Sequence, residues 1–215
     1  MALRGKNLRV HGKKSVYIDK SVQIGNNVTI YENNRLEGNT VIADDVVIMP
    51  GCYIKDCVIG SGTTITSTHA ESARVGEHCS VGPFARLRPS ADIKRNVKIG
   101  NFVEIKNAVV GEGCKVSHLA YVGDAELGAD CNIGCGVIFV NYNGKAKNRT
   151  IVGDNCFIGS NCNIIAPVRI GDNSYICAGT TVTEDVRNDD FVIGRVRQEA
   201  KANRAHKYLK SKKED

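Results

Sequence analysis

Arg88, Lys106 and His118 are the residues of this chain whose types and spacing best suit chemistry. Arg88 and Lys106 lie 18 residues apart, and each directly follows an aliphatic residue, Leu87 and Ile105. Two cations held side by side repel each other, so such a pair calls for an anion between them, most simply a phosphate. The alternative is two unrelated surface charges. Histidine changes charge near neutral pH, which suits His118 to general-base work. Glu104, Tyr121 and Cys135 are its prospective neighbours. A histidine near a carboxylate, beside a cationic pair and a basic loop, reads as a general base with an orienting partner and an anionic substrate site. Set against this, a lone histidine is more often structural than catalytic.

These residues meet only if the chain folds with the period its sequence carries. From Val75 to Val140 an aliphatic residue opens each unit of six, as at Val75, Val81, Leu87, Ile93 and Ile99, with two shortened steps of five. A small or β-branched residue follows four places later, Glu126 being the misfit. Six is neither a helical period nor the alternation of a flat strand. It is the signature of a β-solenoid, in which three hexads make one triangular coil and coils stack as parallel strands about 4.8 Å apart. The opener points inward, and the small residue fills the corner. One coil then places Lys106 over Arg88, Tyr121 over Glu104, and His118 between Asn101 and Cys135.

The same phase runs from about Ile18 to Val186, which predicts one elongated all-β prism. Residues 1–15 read as a polar leader, 16–187 as the solenoid, and 188–215 as a basic arm. Residues 66–74 break the pattern and predict a bulge or small loop that leaves His69 exposed. Residues 141–150, NYNGKAKNRT, cannot continue the core and predict a loop pushed out of the prism. Such loops on rigid scaffolds are where binding residues concentrate. From Gln198 to Lys212 the composition predicts a short helix covering the open end of the solenoid.

Composition narrows the function. Aromatics are 6% of the 215 residues and there is no Trp, so aliphatics must build the core. Six of the nine cysteines fall on the small corner position and read as buried thiols. An odd cysteine count without an export signal points to a reducing, cytoplasmic setting. No Cys-x-x-Cys pair and no two histidines five apart are present, so a zinc site is not expected. No apolar run is long enough to span a membrane. The formal net charge is +6, and Arg195 to Asp215 holds eight basic against three acidic residues. Without interleaved aromatics this tail does not read as a nucleic-acid binder.

The segments GPFARLRP (82–89), GNFVEIK (100–106), SHLAYVGDAELG (117–128), NIGCG (132–136), NYNG (141–144), AGTTVT (178–183) and GRVRQ (194–198) closely resemble the acetyltransferase domain of the bifunctional GlmU family. In that family a glucosamine-1-phosphate N-acetyltransferase is joined to an N-acetylglucosamine-1-phosphate uridyltransferase. The resemblance implies a left-handed parallel β-helix; the repeat alone does not set the hand. It also implies a homotrimer with acetyl-CoA lying between neighbouring prisms, and a place in UDP-N-acetylglucosamine and cell-envelope precursor synthesis. Residue by residue, it implies His118 as catalytic base and Glu104 as the group orienting it. Arg88, Lys106, Tyr121, Asn132 and Lys147 would hold the sugar phosphate. Cys135, Asn141, Tyr142, Ser160, Ala178 and Arg195 would contact acetyl-CoA. Asn143 stands where the family usually has Asp, and Arg197 where it has Pro. No Gly-rich nucleotide loop precedes residue 15, so no uridyltransferase half is expected in this chain. Other readings are transfer to another amino sugar or nucleotide sugar, a Cys135 acyl-enzyme, and a non-catalytic assembly module.

Overall fold

In the computed structural model, which describes residues 5–209, the chain winds as a left-handed parallel β-helix. The coils supply the short strands of three sheets, numbered 1, 2 and 3 in the order the chain visits them. Sheet 1 has 11 strands, from Arg9–Val10 to Phe191–Val192; sheet 2 has 10, from Tyr17–Ile18 to Thr181–Val182; sheet 3 has nine, from Gln23–Ile24 to Val168–Ile170. All ladder pairs between these strands are parallel, and openers stack on openers: Leu87 on Ile105, Ile105 on Val122, Ile99 on Val116. These side chains are within a few per cent of complete burial. Each contributes roughly 1.5–3 kcal/mol of transfer free energy before entropy is subtracted.

Eight of the nine cysteines are buried, and Cys135 is exposed. Burial pushes the Cys52 and Cys57 thiols up to about 11. Hydrogen bonding to Cys114, which lies one coil below, is the main cause that holds Cys131 up at about 12. These thiols act as small apolar fillers.

Three expectations need correction. Residues 66–74 form no loop. The strands Thr64–Ile65, His69–Glu71 and Arg74–Val75 continue the coil, with Ala70 fully buried in the opener slot between two five-residue steps. A search for large aliphatics misses this slot because alanine fills it. His69 is half-buried rather than free, tilted against Tyr53 at 4.7 Å between ring centroids and 3.4 Å from the Glu71 carboxylate. The expected terminal helix reduces, over the described residues, to a single exposed 3-10 turn at Ala205–Lys207; residues 210–212 lie outside them. At the other end, the strand Arg9–Val10 pairs with Thr29–Ile30 inside the stretch expected as a leader.

The extruded loop is built rather than slack. It leaves after Ile138–Val140 and returns at Thr150–Val152. Tyr142 and Lys147 form an antiparallel bridge across it. The Asn143 side-chain oxygen accepts the backbone N–H groups of Lys145 and Ala146 at 3.0 and 2.8 Å. An aspartate makes the same turn, so Asn143 preserves the loop's shape.

Candidate active site

The first group of candidate side chains stands on the outer face of sheet 2. Parallel register fixes it: Arg86 pairs with Glu104, Glu104 with Tyr121, and Lys106 with Gly123. Arg88 therefore lies one coil below Lys106, with its N–H donating to the Ile105 carbonyl at 2.9 Å. The Arg88 guanidinium donates to the Glu104 carboxylate at 2.8 Å. Gly123 sits over Lys106, and a Cβ there would stand 2.3 Å from the Tyr121 hydroxyl. Only glycine lets the phenol cross that position, where its oxygen accepts the Asn141 amide at 3.4 Å.

At the end of this face the loop brings Lys147 against Lys106. The Lys106 ammonium is the main cause that holds Lys147 below the ordinary lysine range. Asp124 lies between loop and sheet, 3.8 Å from the Lys106 ammonium, with their side chains 10% and 18% exposed. Burial opposes its charge, but the amide N–H groups of Asn107 and Asn141 and the two lysines outweigh that and hold its carboxyl below the usual range. Two adjacent ammonium groups with one shared carboxylate leave net positive charge for an incoming anion.

The second group follows the corner between sheets 1 and 2. His118 is exposed, and its Nδ1 lies 2.7 Å from the Asn101 side-chain oxygen one coil below. Asn101 and His118 are register partners. The orienting contact expected of Glu104 thus falls to Asn101, while Glu104 is engaged by Arg88. Continuing upward, Cys135, Ser160 and Ala178 occupy the same slot on successive coils, since Ile133, Ile158 and Ile176 are in register. The Arg195 guanidinium then donates to the Ala178 carbonyl at 2.8 Å. His118, Cys135, Ser160, Ala178 and Arg195 make one line up the prism, rising about 4.8 Å per coil.

A hollow of about 490 Å³ lies on sheet 2 beside this corner, lined by Phe102, Glu104, Leu119, Ala120, Tyr121, Gly136 and Ile138; of the two groups it holds only Glu104 and Tyr121. A larger one of about 560 Å³ on sheet 3 is braced by the ion pairs Lys94–Asp92 and Arg95–Glu112, both 2.6 Å, and holds none of these residues.

Two expected residues stand elsewhere within the single chain. Asn132 points outward from sheet 1, between Lys115 and Phe157, and does not join the sheet 2 cluster. Asn141 is buried at the root of the loop, bonded to Asp124, apart from the corner line. Tyr142 is exposed, its hydroxyl donating to the Gly144 carbonyl at 2.7 Å.

Sequence reasoning missed Asp124 and the corner residues Phe84, Phe102 and Leu119. These last three take the left-handed backbone at φ 58°, 57° and 42°, yet are about 60% exposed. Elsewhere these corners carry mostly Asn, Asp, Ser or Gly. For an L-residue with a bulky side chain that conformation costs roughly 1–2 kcal/mol. The Phe84 and Phe102 rings stack at 5.6 Å. The signal was available as large apolar residues where the corner grammar asks for Asn or Gly. Among the described residues no group of three potential metal ligands occurs.

Comparison with known proteins agrees with this architecture. A family described as bacterial transferase hexapeptide (six repeats) matches residues 72–107, and one described as hexapeptide repeat of succinyl-transferase matches 149–184. The chain is 49% identical to the bifunctional protein GlmU of Clostridium novyi over 185 residues, 86% of this chain and 41% of that protein. It is 49% identical to the bifunctional protein GlmU of Listeria monocytogenes over 188 residues, 87% of this chain and 41% of that one. It thus spans about two fifths of the length of these relatives. Among solved structures, the UDP-N-acetylglucosamine acyltransferase of Bacteroides fragilis shares the fold at TM-score 0.52 and 21% identity, over 82% of this chain and 69% of that one.

Proposed function

The chain belongs to the hexapeptide-repeat family, and we propose that it moves an acetyl group from acetyl-CoA to the 2-amino group of glucosamine 1-phosphate. The observation that carries this is the Lys106–Lys147 pair held one corner away from an exposed His118. With the Asn101 oxygen accepting, Nδ1 of His118 carries the hydrogen and Nε2 keeps its lone pair. The neutral amine attacks the thioester carbonyl while Nε2 takes its proton. Backbone N–H groups near Cys135, the next slot up, receive the oxyanion. The C–S bond then breaks, and the imidazolium returns the proton to the departing CoA thiolate. Arg88, Lys106 and Lys147 hold the sugar phosphate, with Tyr121 beside them. The line Cys135, Ser160, Ala178 and Arg195 takes the donor's extended arm, the guanidinium meeting its phosphates.

Asn132 stands on the outer face of sheet 1, apart from the sheet 2 cluster, which favours a site completed by a neighbouring prism in a homotrimer. The exposed apolar corners Phe84, Phe102 and Leu119 suit the contact between chains. The deciding experiment follows thiol release from acetyl-CoA with glucosamine 1-phosphate, with nucleotide-linked amino sugars for comparison. Release with glucosamine 1-phosphate that His118→Ala lowers by about 10²–10⁴ supports the reading. No turnover of that acceptor, or full activity in the variant, refutes it.

A further inference from the structure

Asp124 is the one buried carboxylate in the site region, and the mechanism above gives it no task. Its connections are unusual in number and direction. Its N–H donates to the Lys106 carbonyl at 3.0 Å, and its carbonyl accepts the Thr150 N–H at 3.2 Å, where the extruded loop returns. One carboxylate oxygen accepts the Asn107 amide at 2.5 Å, and the other accepts the amide of Asn141, where the loop departs. One residue thus grips both ends of the segment that carries Lys147, and its charge lies beside Lys106.

Resting on the reading of Lys106 and Lys147 as phosphate ligands, we propose that Asp124 is the positioning residue of the anion site, fixing the loop and supplying the standing counter-charge beside both lysines. Without it, two ammonium groups would face each other until a phosphate arrives. The other charged groups nearby are already engaged or set apart. Arg88 is bonded to Glu104, Arg149 to Glu126 at 2.9 Å, Lys145 is exposed, and Tyr121 is the remaining titratable group facing the pair.

Removing a negative charge beside two ammonium groups makes each release its proton at lower pH, so phosphate binding must fade at lower pH on the alkaline side. Asp124→Asn keeps the size of the side chain, and asparagine readily adopts the left-handed φ of 48° found there. Binding of inorganic phosphate, followed by calorimetry from pH 7 to 10, is expected to fade about one pH unit earlier in Asp124→Asn than in the parent. Asn107→Gly, which removes one donor to the Asp124 carboxylate but leaves its charge and suits the left-handed φ of 46° there, is expected to leave that limb nearly in place. In acetyl transfer, the alkaline limb of kcat/KM for the phosphorylated acceptor shifts in step, while that for glucosamine, which brings no phosphate, does not. Phosphate limbs that coincide in all three proteins, or equal shifts for both acceptors, overturn the role of Asp124. Because phosphate binding is read without catalysis, a protein that binds phosphate with the expected shifts but transfers no acetyl group refutes the acceptor assignment alone.

Discussion

If Asn101 acts only by holding the His118 ring, its removal should matter while the imidazole is present and be silent once it is gone. Asn101 is half-exposed and bonded to the ring at 2.7 Å, so Asn101→Ala removes one contact without opening a core cavity. A hydrogen bond of this kind contributes about 0.5–1.5 kcal/mol. At 1.36 kcal/mol per decade that becomes roughly a two- to twelvefold loss in kcat. His118→Ala removes the base and costs about 10²–10⁴. The double variant should then be no slower than His118→Ala, since the asparagine has nothing left to orient. Asn101→Asp supplies a sign test: a carboxylate against Nδ1 favours the imidazolium, so the acidic limb of kcat/KM moves to higher pH by about one unit. Steady-state thiol release in the four proteins, with a pH profile of the aspartate variant, checks both. Losses that multiply in the double variant, or an acidic limb that Asn101→Asp leaves in place, would refute the orienting role.

Lys147→Met is expected to raise KM for the sugar phosphate about ten- to hundredfold, the range for a lost hydrogen bond to a charged group, with kcat less affected; a fall in kcat alone contradicts phosphate binding by the loop. In native protein at pH 8 a disulfide reagent should label Cys135 quickly and the buried thiols slowly, since Cys52 and Cys57, held near 11, are only about one part in a thousand thiolate there. Acetyl-CoA should protect Cys135; rapid labelling of several thiols, or no protection, contradicts the placement. Phe102→Asn should relieve roughly 1 kcal/mol of backbone strain in the separated chain while weakening assembly and acetyl transfer; sedimentation and denaturation curves read the two effects, and unchanged assembly refutes the interface role.

The fold was legible because its signal is one-dimensional. Inward openers recur at a fixed step, so Leu87, Ile105 and Val122 could be stacked by counting, and Glu104 against Tyr121 and Asn101 against His118 came with them. Counting failed where the row is kept by an unlikely residue, as at Ala70, which holds the opener slot with a single methyl group. Side-chain partners were less legible than register. The Arg88 guanidinium and the His118 ring both lay within reach of Glu104 by slot arithmetic, and the slots did not say which would take it. Charge decides: a carboxylate pairs more strongly with a permanent guanidinium than with a neutral imidazole, and the amide of Asn101 is left for the ring.

Asp124 shows why a periodic fold hides its most informative residues. Its slot is a left-handed corner, filled above sheet 2 by Asp56, Ser72, Ser90 and Asn107 in the coils below, all small polar residues that suit the backbone. In sequence, aspartate there reads as one more turn residue. Its surroundings set it apart. One coil higher the chain leaves the prism at Asn141, and the corner that would have shielded Asp124 is replaced by a loop bearing a lysine. Phe84, Phe102 and Leu119 are the converse, residues that violate the corner preference and stay about 60% exposed, with only the Phe84–Phe102 stack between them. A rigid ladder leaves few places where strain or buried charge can be tolerated without a return. In this chain both kinds gather around the coils that carry Arg88, Lys106 and His118, so the exceptions to the repeat coincide with the site proposed from the residues themselves.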